Sequence, residues 1–114
     1  MVQLQGVSDN MIANNLTAFY LTHPGEVLKD EIDARGISQK TLAENIGMSY
    51  KVLNDILNER RSVSIETAML FEAALGISAH TLLGLQTEYD MAKTKKDKSF
   101  LQRLANVRRV AAVL

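Results

Sequence analysis

Between residues 36 and 78 the chain places a glycine and then, two residues on, a serine, at Gly36 and Ser38, Gly47 and Ser49, and Gly76 and Ser78. Each pair closes one helix and opens the next. Glycine takes the left-handed conformation that ends a helix, and a serine oxygen accepts from the free N–H groups of the following first turn. Ser64 supplies one more opening. Aromatic residues are few, with three Tyr, three Phe and no Trp, and β-branched runs are scarce, so the balance leans to helices over sheet.

Apolar spacing fills these frames. Pro24 suits a first helical position and Glu26 its first turn, with Val27, Leu28, Glu31 and Ile32 on one face and Arg35-Gly36 closing the helix. The second helix turns Leu42, Ala43 and Ile46 inward, and the third Leu53, Ile56 and Leu57. A fourth runs from Ser64 through Ala68, Leu70, Phe71 and Leu75, and a fifth from Ser78 through Leu82 and Leu83 to Tyr89. All the glycines are expected at helix ends or turns. Residues 99–114 carry Phe100, Leu104, Val107, Ala111 and Leu114 at spacings of three and four, a stripe that makes a helix once covered. The expected architecture is an all-α, five-helix domain over residues 23–92, with an N-terminal segment at 1–22 and a basic helical extension at 93–114. The N-terminal Met11, Ile12, Leu16 and Phe19 are expected to lie against the domain or a partner.

Charge is uneven behind a neutral total. Residues 1–92 hold six basic and twelve acidic side chains, and residues 93–114 hold seven basic ones against Asp97. A neutral sum is no argument against a polyanionic partner, because the local field steers association. The lysine-rich junction reads equally as a solvated linker. With no cysteine, the chain fits a reducing, cytoplasmic setting and offers no thiolate metal ligand. No apolar run approaches a membrane span, and no signal peptide is expected.

Residues 38–58 form the most informative stretch. Two helices that cross over a short turn need a small residue at the crossing, Ala43, and a free backbone at the turn, Gly47, with Met48 beneath it. Such a helix-turn-helix points the outer face of its second helix at the DNA major groove. Tyr50, Lys51, Asn54, Asp55 and Asn58 are expected outward. Asn54 suits adenine, Lys51 guanine or phosphate, and Tyr50 a phosphate or a thymine methyl. Ser49 at the cap lies in phosphate reach, Arg60 and Arg61 are natural phosphate contacts, and Gln39 touches the backbone or braces the second helix. Asp55 and Glu59 would oppose phosphate if they faced it.

His23-Pro24-Gly25-Glu26, Gly36-Ile37-Ser38-Gln39, Asn58-Glu59-Arg60-Arg61 and Leu85-Gln86-Thr87-Glu88-Tyr89-Asp90 together resemble the HigA-like antitoxins, a branch of the lambda-repressor-like, Cro/C1-type (XRE) regulators. The resemblance spans residues 23–90. It implies a bacterial antitoxin that represses its own operon as a homodimer on palindromic operator DNA and neutralises a small ribonuclease toxin. It also implies DNA contacts at Gln39, Tyr50, Lys51 and Asn54. Many relatives have glycine where this chain has Glu59, and a Ser-Arg-rich recognition helix where it has Tyr50-Lys51.

Two other readings stay open: a repressor of the same fold without a toxin, and a protein-binding adaptor that has lost its DNA face. An enzyme is not expected. His23 reads as a helix-start residue and His80 as a surface residue, and neither has metal-ligand spacing. No phosphate-binding loop appears, and no cofactor or metal is expected.

Overall fold

Helix openings set the architecture. The computed structural model describes residues 22–114, and these residues form six helices and no strand. They are α1 (Pro24–Ala34), α2 (Gln39–Ile46), α3 (Tyr50–Leu57), α4 (Ile65–Leu75), α5 (Ala79–Thr94) and α6 (Lys98–Ala111). Ser38, Ser49, Ser64 and Ser78 each accept from the N–H three residues on, at 3.1–3.3 Å, and Asp97 does the same for α6 at 3.1 Å. Each such cap contributes roughly 1 kcal/mol. Gly47 and Gly76 stand in the left-handed region at φ 70° and 74° as helix stops.

The helices bury their apolar stripes in one cluster. Leu28 and Ile32 of α1, Leu42 and Ala43 of α2, and Leu53, Ile56 and Leu57 of α3 meet Ala68, Phe71 and Leu75 of α4 and Leu82 of α5. Burying each large side chain contributes on the order of 1.5–3 kcal/mol. Ile46, Met48 and Val52 are half-buried against this core. Leu70 departs from the expected pattern and is 40% exposed. It lies one position off the stripe of Ala68, Phe71 and Leu75, and it lines a groove between α2 and α4 with Ile37, Thr41 and Ala74.

One glycine departs from expectation, and another, at a helix start, has a packing role the sequence did not show. Gly84 stands inside α5 with open space where a Cβ would be. Gly25 is buried in the first turn of α1, and a Cβ there would come within 1.9 Å of the Ile56 carbonyl oxygen. Its role is a close approach between α1 and the end of α3.

Helix α5 runs past Tyr89 to Thr94, with no glycine or proline to stop it there and with Thr94 Oγ1 donating to the Asp90 carbonyl at 2.7 Å. Lys93 therefore sits on α5, and only residues 95–97 separate it from α6. Helix α6 buries no residue fully. Phe100 and Leu104 lie beside Met91 and Thr94 of α5, and Lys95 just after it, around a groove of about 380 Å³, while Val107, Val110 and Leu114 stay exposed. The helix thus forms with much of its stripe uncovered. Met11, Ile12, Leu16 and Phe19 lie outside the described residues.

Candidate nucleic-acid interface

Helices α2 and α3 cross at Ala43, which is buried. The turn between them is closed by Met48, whose N–H donates to the Ala43 carbonyl at 2.9 Å. Leu53, Ile56 and Leu57 pin the inner face of α3 into the core, so its other face is fixed toward solvent. Tyr50 is 53% exposed at its first turn, and the Lys51 side chain is 81% exposed.

A polar network covers this outer face. Asn54 Nδ2 donates to Gln39 Oε1 at 3.2 Å, so the first residue of α2 braces the middle of α3. Arg60 Nη2 donates to Asn54 Oδ1 at 3.0 Å. Asn58, at the C-cap of α3, donates through Nδ2 to the Asn54 carbonyl at 2.9 Å. The Ser49 oxygen is engaged as the cap of α3. Each Asn54 amide atom uses one partner and keeps capacity for another, since the nitrogen has two hydrogens and the oxygen two lone pairs.

Asp55 sits at the centre and is not the open acid that its place in the sequence suggested. Its side chain is 15% exposed and accepts from Lys51 Nζ at 2.9 Å. It also accepts from Arg60 Nε and Nη2 at 3.2 Å each, and Arg61 Nη2 stands 4.0 Å away. The hydrogen bond from Lys51 is the largest influence holding its carboxyl below the usual carboxylate range, with Arg60 adding to it against partial desolvation. Asp55 thus balances one of the three positive charges gathered around it.

The loop after α3 has its own geometry. Glu59 N–H donates to the Ile56 carbonyl at 3.0 Å, and Arg60 N–H to the Asp55 carbonyl at 2.7 Å. This is the paired closure of a Schellman motif, whose turning residue is usually glycine. Here Glu59 takes it at φ 64°.

Two buried polar side chains stand near that loop: Gln86, whose role was not evident in the sequence, and His23, the helix-start residue expected there. Gln86 of α5 accepts from the Val63 N–H at 2.9 Å and donates to Asp90 at 3.0 Å. His23 is buried before α1, its Nδ1 accepting from the Gly25 N–H at 2.9 Å, with its ring edge-on to Tyr89 at 4.9 Å. Burial lowers its pKa, while Glu59 and then Asp90 pull the other way. His80 is exposed. Among the described residues no group of three or more His, Asp or Glu is placed to hold a metal, and no helix is long and apolar enough to cross a membrane.

The chain is similar to known proteins in sequence and in fold. The helix-turn-helix family model matches residues 28–82. Virulence-associated protein I of Dichelobacter nodosus is 34% identical over 77 residues, which cover 67% of this chain and 71% of that protein. The Pseudomonas aeruginosa antitoxin HigA, solved with the higBA promoter, is similar in structure with a TM-score of 0.61 at 29% identity, covering 82% of this chain and 95% of that one. An addiction module antidote protein of the HigA family from Coxiella burnetii gives a TM-score of 0.61 at 30% identity, covering 72% of this chain and 92% of that one. The chain therefore belongs to the XRE-type helix-turn-helix family, with an all-α lambda-repressor-like fold and HigA-type antitoxins as its structural neighbours.

Proposed function

We propose that this protein is a cytoplasmic antitoxin that binds operator DNA in its own promoter and represses its operon. The carrying observation is Asn54, held between Gln39 and Arg60 on the outer face of α3 with capacity left on both amide atoms. A side chain fixed in this way meets an adenine edge in the major groove with little ordering left to do. Tyr50 and Lys51 flank it toward the start of the helix, and Arg60 and Arg61 provide phosphate contacts at its end. The promoter complex of the similar P. aeruginosa HigA supports this use of the fold.

One helix-turn-helix offers too little contact for tight, specific binding, so the protein acts as a homodimer reading half-sites roughly 34 Å apart. The apolar stripe of α6 joins the copies. The second activity is neutralisation of a ribonuclease toxin. Exposed Glu26, Asp30 and Asp33 on α1 suit the cationic surface that an RNA-cleaving partner must carry, and opposite charges speed encounter.

Two experiments test the reading. Titration of labelled upstream DNA against a scrambled duplex is expected to show operator preference, and equal binding to both rejects the DNA role. Co-purification of the tagged chain with the product of the neighbouring gene is expected to recover a toxin. Recovery of none from the native operon leaves a plain repressor.

A further inference from the structure

One carboxylate on the proposed DNA face holds the cations that the interface needs. Asp55 accepts from Lys51 at 2.9 Å and from two nitrogens of Arg60 at 3.2 Å each, with Arg61 at 4.0 Å. The same Arg60 reaches Asn54 Oδ1 at 3.0 Å through the nitrogen it gives to Asp55. The carboxylate therefore does two things at once. It occupies positive charge, and it aims the guanidinium that fixes Asn54.

Resting on the DNA-binding reading, we infer that Asp55 is a specificity-determining positioning residue, competing with DNA phosphate for Lys51, Arg60 and Arg61 while orienting Asn54 through Arg60. The two roles act on different binding modes. Non-specific affinity comes almost wholly from cations meeting phosphates. Cations already satisfied by Asp55 gain less from random DNA. On the operator, base contacts by Asn54 carry added affinity, and these need Arg60 to stay beside Asp55, with Nη1 left to meet a phosphate. Asp55 thus lowers binding to random sequence and preserves binding to the correct one.

The test measures operator and scrambled duplexes in parallel across a salt series, with wild type, Asp55→Asn and Asp55→Glu. Asp55→Asn is expected to bind scrambled DNA more tightly, with a salt slope steeper by about one unit as a freed cation reaches phosphate. Operator affinity does not rise with it, and the specificity ratio falls on the order of tenfold, the scale of one lost base contact. Asp55→Glu keeps the charge and retains the weak binding to scrambled DNA. An unchanged ratio in Asp55→Asn, or an Asp55→Glu chain that behaves like it, overturns the inference. Should Asp55→Asn fail to fold, Arg60→Lys decides. It keeps the charge but loses the second nitrogen on Asp55 that fixes the direction of the guanidinium toward Asn54, so the ratio falls while the scrambled-DNA slope holds. An unchanged ratio there overturns the inference as well. A wild type without operator preference removes the DNA reading itself and this inference with it, whereas a discriminating wild type with an unchanged variant removes only the inference.

Discussion

Glu59 occupies the turning position of a Schellman closure at φ 64°, where a Cβ crowds the backbone. For an L-residue that conformation is less favourable by about 1–2 kcal/mol. Glycine removes the crowding but has more freedom to lose on folding, which returns about 0.5–1 kcal/mol. The net expectation for Glu59→Gly is a stabilisation of about 1 kcal/mol, or a melting temperature higher by roughly 4–8 °C in a domain of this size. Glu59→Ala separates backbone from charge, since it removes the carboxylate beside Arg60 and His23 and keeps the Cβ. Urea unfolding monitored by circular dichroism compares the three chains. A Glu59→Gly chain no more stable than Glu59→Ala refutes the claim that the loop is strained.

Further outcomes follow from other contacts. Gly25→Ala forces a methyl against the Ile56 carbonyl and should destabilise by about 1–3 kcal/mol in the same unfolding assay. His23 has a folded pKa below its ordinary value of 6.5 and caps α1 as a neutral acceptor, so the unfolded chain binds its proton more readily. Stability is then full above about pH 6.5 and declines as pH falls through the folded pKa; His23→Asn, which caps without titrating, should flatten that decline in urea melts between about pH 7.5 and 5.5. A chain ending at Lys98 should sediment as a monomer, because it lacks the α6 stripe. A persisting dimer would move the interface to α5 near Leu83 and Tyr89.

Much of the fold could be read in the sequence because its signals are local. A serine cap bonds three residues ahead, and a glycine stop acts on its own backbone, so both survive without tertiary knowledge. Helix α4 was ambiguous for the opposite reason. Ala68, Met69, Leu70, Phe71, Ala73, Ala74 and Leu75 are apolar nearly all round, and only packing selects Phe71 inward over Leu70. At the candidate site, helical spacing named the outward residues of α3, and the sequence offered Gln39 as a brace for that helix, but neither showed the contacts made by Arg60. The helix-turn-helix motif itself brings Gln39 to α3, whereas Arg60 folds back over α3 from the loop, which no short window encodes. Gly25 carried a partial signal, a glycine in a first helical turn where no stop is needed. His23 was legible as a helix-start residue but not as a buried one, and Gln86 gave no signal, because their burial depends on elements distant in sequence.

The proposed DNA-reading surface is the outer face of α3 with the loop after it. The direct measurement is an operator titration of Asn54→Ala, Arg61→Ala and the double variant, each first checked for an unchanged fold. Asn54→Ala should weaken operator binding by about 1–3 kcal/mol and leave scrambled DNA nearly unaffected. Arg61→Ala should weaken both and reduce the salt slope by about one unit. The double variant is expected to lose operator preference. A double variant that titrates the operator as wild type does would contradict this assignment.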